Sequence, residues 1–187
     1  MPWYVLTGTP GSGKTAILRQ LEQDGFMVIE EAATDVIALA HALGQTEPWA
    51  SPGFADRIVA LQLRREQRAA AAHGLVTVFF DRSPVCTLAL CRFLGQPVSP
   101  MLAAEVQRAV TGRRYGEAVF LVRGQGFVTP TAARRISPAD AAAFEKVHEE
   151  TYRELGFRLI EVAPGPLADR VGVVKREIAW LGWSASM

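Results

Sequence analysis

The chain has 187 residues, 49% of them hydrophobic and 21% charged, with 20 basic and 19 acidic side chains and a formal net charge of +1. Such a chain can bury a core and is not of the disordered type, and its charge balance leaves no basic footprint for nucleic acid. No apolar run approaches the ~20 residues needed to span a membrane, and a first strand beginning at about Trp3 leaves no place for a signal peptide.

Trp3-Tyr4-Val5-Leu6-Thr7 reads as a short buried strand and residues 16–21 as helix. Between them, Gly8-Thr9-Pro10-Gly11-Ser12-Gly13-Lys14-Thr15 fits G-x-x-x-x-G-K-[ST], the phosphate-binding P-loop, at every fixed position. Strand, glycine loop and helix is the context that motif requires. Gly25 stops the helix, residues 26–29 read as a second strand, and Glu30-Glu31 stands at its carboxyl end. Residues 35–43 look helical, 45–53 form a loop with Trp49, and 54–73 form a long helix with Phe54, Ile58 and Leu61 on one stripe.

Residues 75–80 are a near-continuous apolar run, as in a parallel strand buried on both faces, with Asp81-Arg82-Ser83 directly after it. A helix over 84–94 ends at Gly95. Ser99-Pro100 opens another helix, ending near Gly112. Residues 118–122 are the fourth strand, and 123–136 look like a loop rich in Gly, Thr, Pro and Arg. Ser137 caps a helix with Asp140 in its first turn, residues 157–162 are the fifth strand, and a last helix covers about 166–181. Five strands alternating with helices predict an α/β fold, a parallel sheet covered on both faces, in one domain over 1–187. Ligands bind at the carboxyl ends of such strands, so the P-loop, Glu30, Glu31, Asp81, Arg82 and Arg123 should rim one cleft.

The chemistry follows from the residue types. Backbone N–H groups of Gly8, Thr9, Pro10's neighbours, Gly11, Ser12 and Gly13 can approach phosphate oxygens. Lys14 supplies a point charge to the β- and γ-phosphates, and Thr15 a hydroxyl ligand for Mg²⁺. Asp81, after a bulky apolar run, has the Walker B pattern and would share the metal with Thr15. The next residue is Arg82, not the water-polarising Glu of many ATP-driven motors. An arginine stays protonated and cannot be a base, but it can hold an acceptor or a phosphate. Adjacent Glu30 and Glu31 should point to opposite strand faces, one of them into the cleft, where a carboxylate can take a hydroxyl proton. Arg134-Arg135 sits in the loop after strand four, as a lid that clamps phosphate would.

Other candidates read more plainly. Arg113-Arg114 is a surface pair and residues 64–68 a solvated polar run; Lys14 belongs to the loop and not the core. Trp49 and Phe54 either stack a ring-shaped acceptor or pack the core, and Trp180 and Trp183 cover the sheet edge or core. Cys86 and Cys91 read as buried free thiols in a reducing cytosol, which with the missing signal peptide predicts a cytoplasmic protein.

On the P-loop, Val28-Ile29-Glu30-Glu31-Ala32-Ala33, Phe79-Phe80-Asp81-Arg82, Arg134-Arg135-Ile136, and residues 144–156 with His148 and Tyr152, the chain resembles a known family. This is the small AAA-like P-loop family that contains the ribosylnicotinamide-kinase domain of NadR-type proteins. The resemblance runs from about Trp3 to Leu181. It implies a P-loop kinase-like three-layer fold with strand order 2-3-1-4-5, ATP with Mg²⁺, and Glu31 as the residue of its Glu-Ala-Ala step. That step is usually followed by Arg, and here by Thr34.

The leading expectation is a small-molecule kinase acting on a nucleoside or related metabolite. Lys14 and Arg134 or Arg135 would stabilise the moving phosphoryl, and Glu31 would serve the acceptor hydroxyl. The rivals are a nucleotide-binding switch or ATPase working through a protein partner, with ATP or GTP, and a nucleotide-dependent interaction module with little turnover. No N-K-x-D run for reading guanine and no L-S-G-G-Q run of a transporter ATPase occurs.

Overall fold

The computed structural model describes residues 3–72, 77–112, 114–116, 118–126 and 137–184. Apolar strand runs and capped, amphipathic helices alternate along it. β1 is Trp3–Thr7, α1 Lys14–Gln23, β2 Met27–Ile29, α2 Ala32–Ala42, and α3 Phe54–Ala72, with a 3-10 turn at Pro48–Ala50 before α3. β3 is Val78–Asp81, α4 Pro84–Leu94, α5 Pro100–Thr111, β4 Ala118–Val122, α6 Pro138–Glu154, β5 Arg158–Val162 and α7 Leu167–Ser184. The sheet order is β2-β3-β1-β4-β5, and every pairing is parallel. This is the α/β P-loop kinase fold that the resemblance implies.

Strand alternation builds two cores. Val5, Phe80 and Val119 point to one face and pack with Val85 and Cys91 of α4, Leu102 and Val106 of α5, and Tyr152 of α6. Tyr4, Leu6, Phe79, Phe120 and Val122 point to the other face, against Ile17, Leu18 and Leu21 of α1 and Val171 and Val174 of α7. The sheet is therefore the middle layer of three. Serines cap three of the helices: Ser83 Oγ accepts from Val85 N, Ser99 Oγ from Leu102 N, and Ser137 Oγ from Asp140 N.

Several expectations shift. α2 begins at Ala32, ahead of the expected residue 35, and Asp81 is the last residue of β3 and not the first beyond it. The polar run 64–68 is not all solvated. Glu66 is only 2% exposed, and accepts from Tyr115 Oη and from Arg114 NH1 at 2.8 Å. Arg114 also lies 3.6 Å from the buried Glu105, so it is a bridge between α3 and α5 and not a surface charge. Burial pushes the Glu66 carboxyl above its ordinary value, against the pull of Tyr115 and Arg114. No helix among the described residues is long and apolar enough to cross a membrane. Trp180 lies beside the β5 edge with the Arg158 guanidinium 5.5 Å from its ring centre, while the Trp183 side chain lies outside the described residues.

The Glu66 cluster gives a stability test. Glu66→Ala leaves Arg114 and Tyr115 without their buried acceptor, and should lower unfolding free energy by about 3 kcal/mol. Urea unfolding measures it; a loss below about 0.5 kcal/mol would show that water replaces the carboxylate.

Candidate active site

The P-loop leaves the end of β1 and turns into α1. Gly8, Gly11 and Gly13 have φ of 128°, 84° and 90°. A Cβ on Gly8 would fall 2.3 Å from the Val122 carbonyl oxygen, so the loop seats against the end of β4 only with glycine there. Lys14 is the first residue of α1. Its Nζ donates to Gly8 O at 3.0 Å, Thr9 O at 2.8 Å and Ser12 Oγ at 3.3 Å. It is 5% exposed, so the expected loop position outside the packed interior is corrected. Burial, helped by the Arg82 charge, pulls its amine down to about 8, with Asp81 and Glu31 pulling the other way.

Thr15 and Asp81 meet as the motif reading requires: Thr15 Oγ1 donates to Asp81 Oδ2 at 3.4 Å. Asp81 Oδ1 is buried and has no hydrogen-bond partner. Burial raises the Asp81 carboxyl, and Lys14 opposes that rise. A hydroxyl beside an orphaned carboxylate oxygen is a donor set that fits Mg²⁺.

Glu30 and Glu31 do diverge, though not by strand alternation, because β2 ends at Ile29 and Glu31 already begins the turn into α2. Glu30 faces outward and pairs with Arg19. Glu31 faces inward: its Oε1 accepts from Arg82 Nε at 2.5 Å and its Oε2 from Thr34 Oγ1 at 2.9 Å. Arg65 fixes this turn by donating to the Glu30 and Glu31 carbonyls at 3.0 and 2.9 Å. Burial works against the Glu31 charge, but Arg82 and Lys14 outweigh it and hold the carboxyl below its usual value. Thr34, where the resembling family has Arg, contributes a hydroxyl to the same carboxylate.

Arg82 has φ 75°, the one left-handed non-glycine backbone among the described residues. Such a conformation costs about 1–2 kcal/mol, and two bonds hold it. Arg82 N donates to Leu6 O at 3.1 Å, and Gln62 Nε2 donates to Arg82 O at 2.9 Å. Asp81 and Arg82 thereby leave β3 toward different partners, one toward Thr15 and the other toward Glu31. Sequence reading missed what lies behind Arg82. Its NH1 is 3.4 Å from His148 Nε2, and His148 Nδ1 is 3.1 Å from Thr7 Oγ1. Thr7 continues to Cys86 Sγ at 3.3 Å, Cys86 to Tyr152 Oη at 3.1 Å, and Tyr152 to Ser83 Oγ at 2.6 Å. Arginine can only donate, so His148 must accept at Nε2 and carry its proton on Nδ1.

A cavity of about 240 Å³ adjoins this pair. Pro10 of the P-loop, Glu31, Gln62 and Arg82 form its polar part, and Trp49, Phe54, Phe93 and Phe144 give it aromatic walls. Trp49 and Phe54 thus belong both to the cavity wall and to a small core with Val36 and Ile58. Gln62 and Phe93 carried no motif signal, and Phe144 was marked only as the start of the resembling stretch 144–156. Arg123 does not project freely into the cleft: Glu145, Glu149 and Glu161 hold it at 3.2, 2.7 and 2.8 Å. Arg134 and Arg135, expected to form a lid, and Arg113 lie outside the described residues.

Residues 3–170 match the family model AAA_28, described as an AAA domain. The match covers most of the chain, and the protein belongs to this AAA-domain family. No curated protein matches the sequence. Among solved structures, deoxyadenosine kinase from M. mycoides, with the products dCMP and a flexible dCDP bound, is similar at TM-score 0.63 and 14% identity. That match covers 95% of this chain and 98% of the kinase. The same kinase with dATP bound is similar at TM-score 0.58 and 16% identity, over 96% of this chain and 100% of that one. NadR protein in complex with NAD and AMP-PNP is similar at TM-score 0.69 and 15% identity. That match covers 94% of this chain but 49% of NadR, so the chain spans about half of NadR's length. At these identities the likeness is one of fold.

The hydrogen-bond chain behind Arg82 gives a pH test. Burial, and repulsion from Arg82 and Lys14, push His148 well below its ordinary value of 6.5, so its ring should stay neutral as the pH falls through that value. Two-dimensional ¹⁵N NMR of the imidazole should show the Nδ1–H form throughout. Protonation near pH 6.5 would contradict the assigned chain of donors.

Proposed function

We propose that this domain is a cytoplasmic small-molecule kinase that moves the γ-phosphoryl of ATP to a hydroxyl of a nucleoside or related metabolite. One observation carries the reading. The Glu31 carboxylate, held ionised by Arg82, lies where an aromatic-walled cavity meets the P-loop. A switch that only hydrolyses nucleotide has no use for such a cavity beside its phosphates. The kinase fold shared with deoxyadenosine kinase and NadR supports the same reading, and the family match supports nucleotide binding.

In this mechanism the P-loop backbone from Gly8 to Gly13 holds the triphosphate, and Lys14 exchanges its bonds to Gly8, Thr9 and Ser12 for phosphate oxygens. Thr15 and Asp81 would hold Mg²⁺, which neutralises phosphate charge when bound. The acceptor's ring lies among Trp49, Phe54, Phe93 and Phe144, with its hydroxyl toward Glu31. Glu31 takes the hydroxyl proton as the oxygen attacks the γ-phosphorus. The bond from that phosphorus to the β–γ bridging oxygen breaks, and ADP leaves with the electron pair. Arg82 keeps Glu31 aimed and ionised. Arg134 and Arg135 are the proposed lid charges on the moving phosphoryl.

Glu31→Gln should lower acceptor phosphorylation by roughly a hundredfold or more, the worth of a positioned base. ATP affinity should change little. Glu30→Gln, facing outward, should keep near-normal turnover. Steady-state kinetics on the two variants decides this, and equal near-normal activity would defeat the acceptor-base role.

Lys14 gives a second test, with the sign set by its amine near 8. Triphosphate favours the protonated amine, so binding below pH 8 needs no proton uptake, while above pH 8 it takes one up. ATP affinity should therefore fall above pH 8, by up to about tenfold per pH unit. Lys14→Arg, which does not titrate there, should remove the slope. Calorimetry between pH 7 and 9.5 measures both; a flat wild-type profile would contradict the assignment.

A further inference from the structure

Most cations around the P-loop have acidic partners. Arg82 pairs with Glu31, Arg65 with Asp35, and Arg123 with Glu145, Glu149 and Glu161. Lys14 feels Asp81 and Glu31. Arg170, in the first turn of α7, is different. It is 3% exposed, and among the described residues its donors reach only backbone: Nε to Ala163 O at 3.1 Å and NH2 to Arg123 O at 3.1 Å. Burial alone pulls its guanidinium down from the ordinary value, and no described carboxylate opposes that pull.

Its third nitrogen points at the P-loop. A Cβ placed on Gly13 would lie 2.6 Å from Arg170 NH1 and 3.9 Å from Gln125 Nε2. Gln125 is fixed in turn by two 3.3 Å bonds with Gly165. Gly13 is the N-cap of α1, with no side-chain cap and no acidic residue in the first turn that follows. The positive end of the α1 dipole and a buried guanidinium therefore face each other with no anion among the described residues between them. Carbonyl oxygens satisfy some of the Arg170 donors but do not neutralise its charge, and a buried cation without a counter-ion is strongly destabilising. An anion seated at Gly13 would relieve both at once.

We propose that Arg170 is a phosphate-binding residue, contributed by α7, whose NH1 donates to the polyphosphate of the nucleotide on the P-loop beside Gly13. This rests on the reading of the loop as a nucleotide site. It adds a cation from far along the chain that no motif marks. Because Nε and NH2 of the same side chain hold the segments after β4 and β5, the bond joins three loops and the start of α7 around one anion.

The test uses the full chain, Arg170→Met and Arg170→Lys, with calorimetry for ATP, adenosine and inorganic tripolyphosphate, and thermal melting without ligand. Arg170→Met should weaken ATP and tripolyphosphate about 10- to 100-fold, the range of a charge-assisted hydrogen bond. Adenosine binding should not change, the ligand-free melting temperature should not fall, and Arg170→Lys should recover part of the loss. Unchanged tripolyphosphate affinity, or a drop in melting temperature with normal affinity of the folded fraction, would make Arg170 a structural clamp and overturn the proposal. Should Arg170→Met fail to fold, the Nε–Hε resonance of Arg170 in the wild type must shift on adding tripolyphosphate; no shift overturns the proposal. A protein that binds tripolyphosphate through Arg170 yet phosphorylates no acceptor would sink the kinase reading alone.

Discussion

Charge balance at the ends of three strands governs the rest of the site. Lys14, Asp81 and Arg82 are buried, Glu31 is half-buried, and their two positive and two negative charges cancel. None of them is in its ordinary electrostatic state, and each shifts the others. Arg82 and Lys14 keep Glu31 ionised, Asp81 and Glu31 resist the discharge of Lys14, and Glu31 helps keep Arg82 charged against burial. Removing any one would leave an uncompensated charge in a site that water reaches poorly, which is far more destabilising than losing an exposed pair. The left-handed turn at Arg82 makes the balance geometrically possible. It sends consecutive residues of opposite sign to different partners, and Leu6 and Gln62 hold it in place.

The sheet order distributes the tasks. β1 sits in the centre and delivers the P-loop. Toward β3 and β2 lie Asp81, Arg82, Glu31 and the aromatic cavity, which is the proposed acceptor side. Toward β4 and β5 lie Arg123, Gln125, Gly165 and Arg170, grouped around Gly13. Parallel strands put all of these at one edge, so a sequence spread from residue 8 to residue 170 converges on a single cleft. α6 ties the core on its own face of the sheet to the site through Tyr152 and His148, whose bonds run from Arg82 across Thr7 and Cys86 to the cap of α4.

Much of this was legible in the sequence because it is local. The P-loop, the apolar run before Asp81, the helix starts at Ser99-Pro100 and Ser137-Pro138 and the strand–helix alternation each depend on neighbours within a few residues. What sequence reading missed depends on distant partners. A run such as residues 64–68 looks solvated by composition, yet Glu66 turns inward because Tyr115 and Arg114, some fifty positions on, offer it donors. Arg123 looked like a cleft cation until three carboxylates from α6 and β5 enclosed it. The divergence of Glu30 and Glu31 was expected for the wrong reason: a turn into α2, held by Arg65, replaces strand alternation. Gln62 and Phe93 line the cavity from helices on which nothing local singles them out, and Phe144 was marked only as the start of the resembling stretch 144–156.

The central claim is that the cavity beside Glu31 takes a hydroxyl-bearing acceptor. The direct measurement is mass-resolved ADP and product formation from ATP·Mg²⁺ across a panel of nucleosides and related metabolites. The account predicts ADP release that rises with one acceptor and matches it mole for mole with a product heavier by one phosphoryl group. Slow ADP release that no acceptor alters, with free phosphate as the sole product, would contradict it and favour a nucleotide switch.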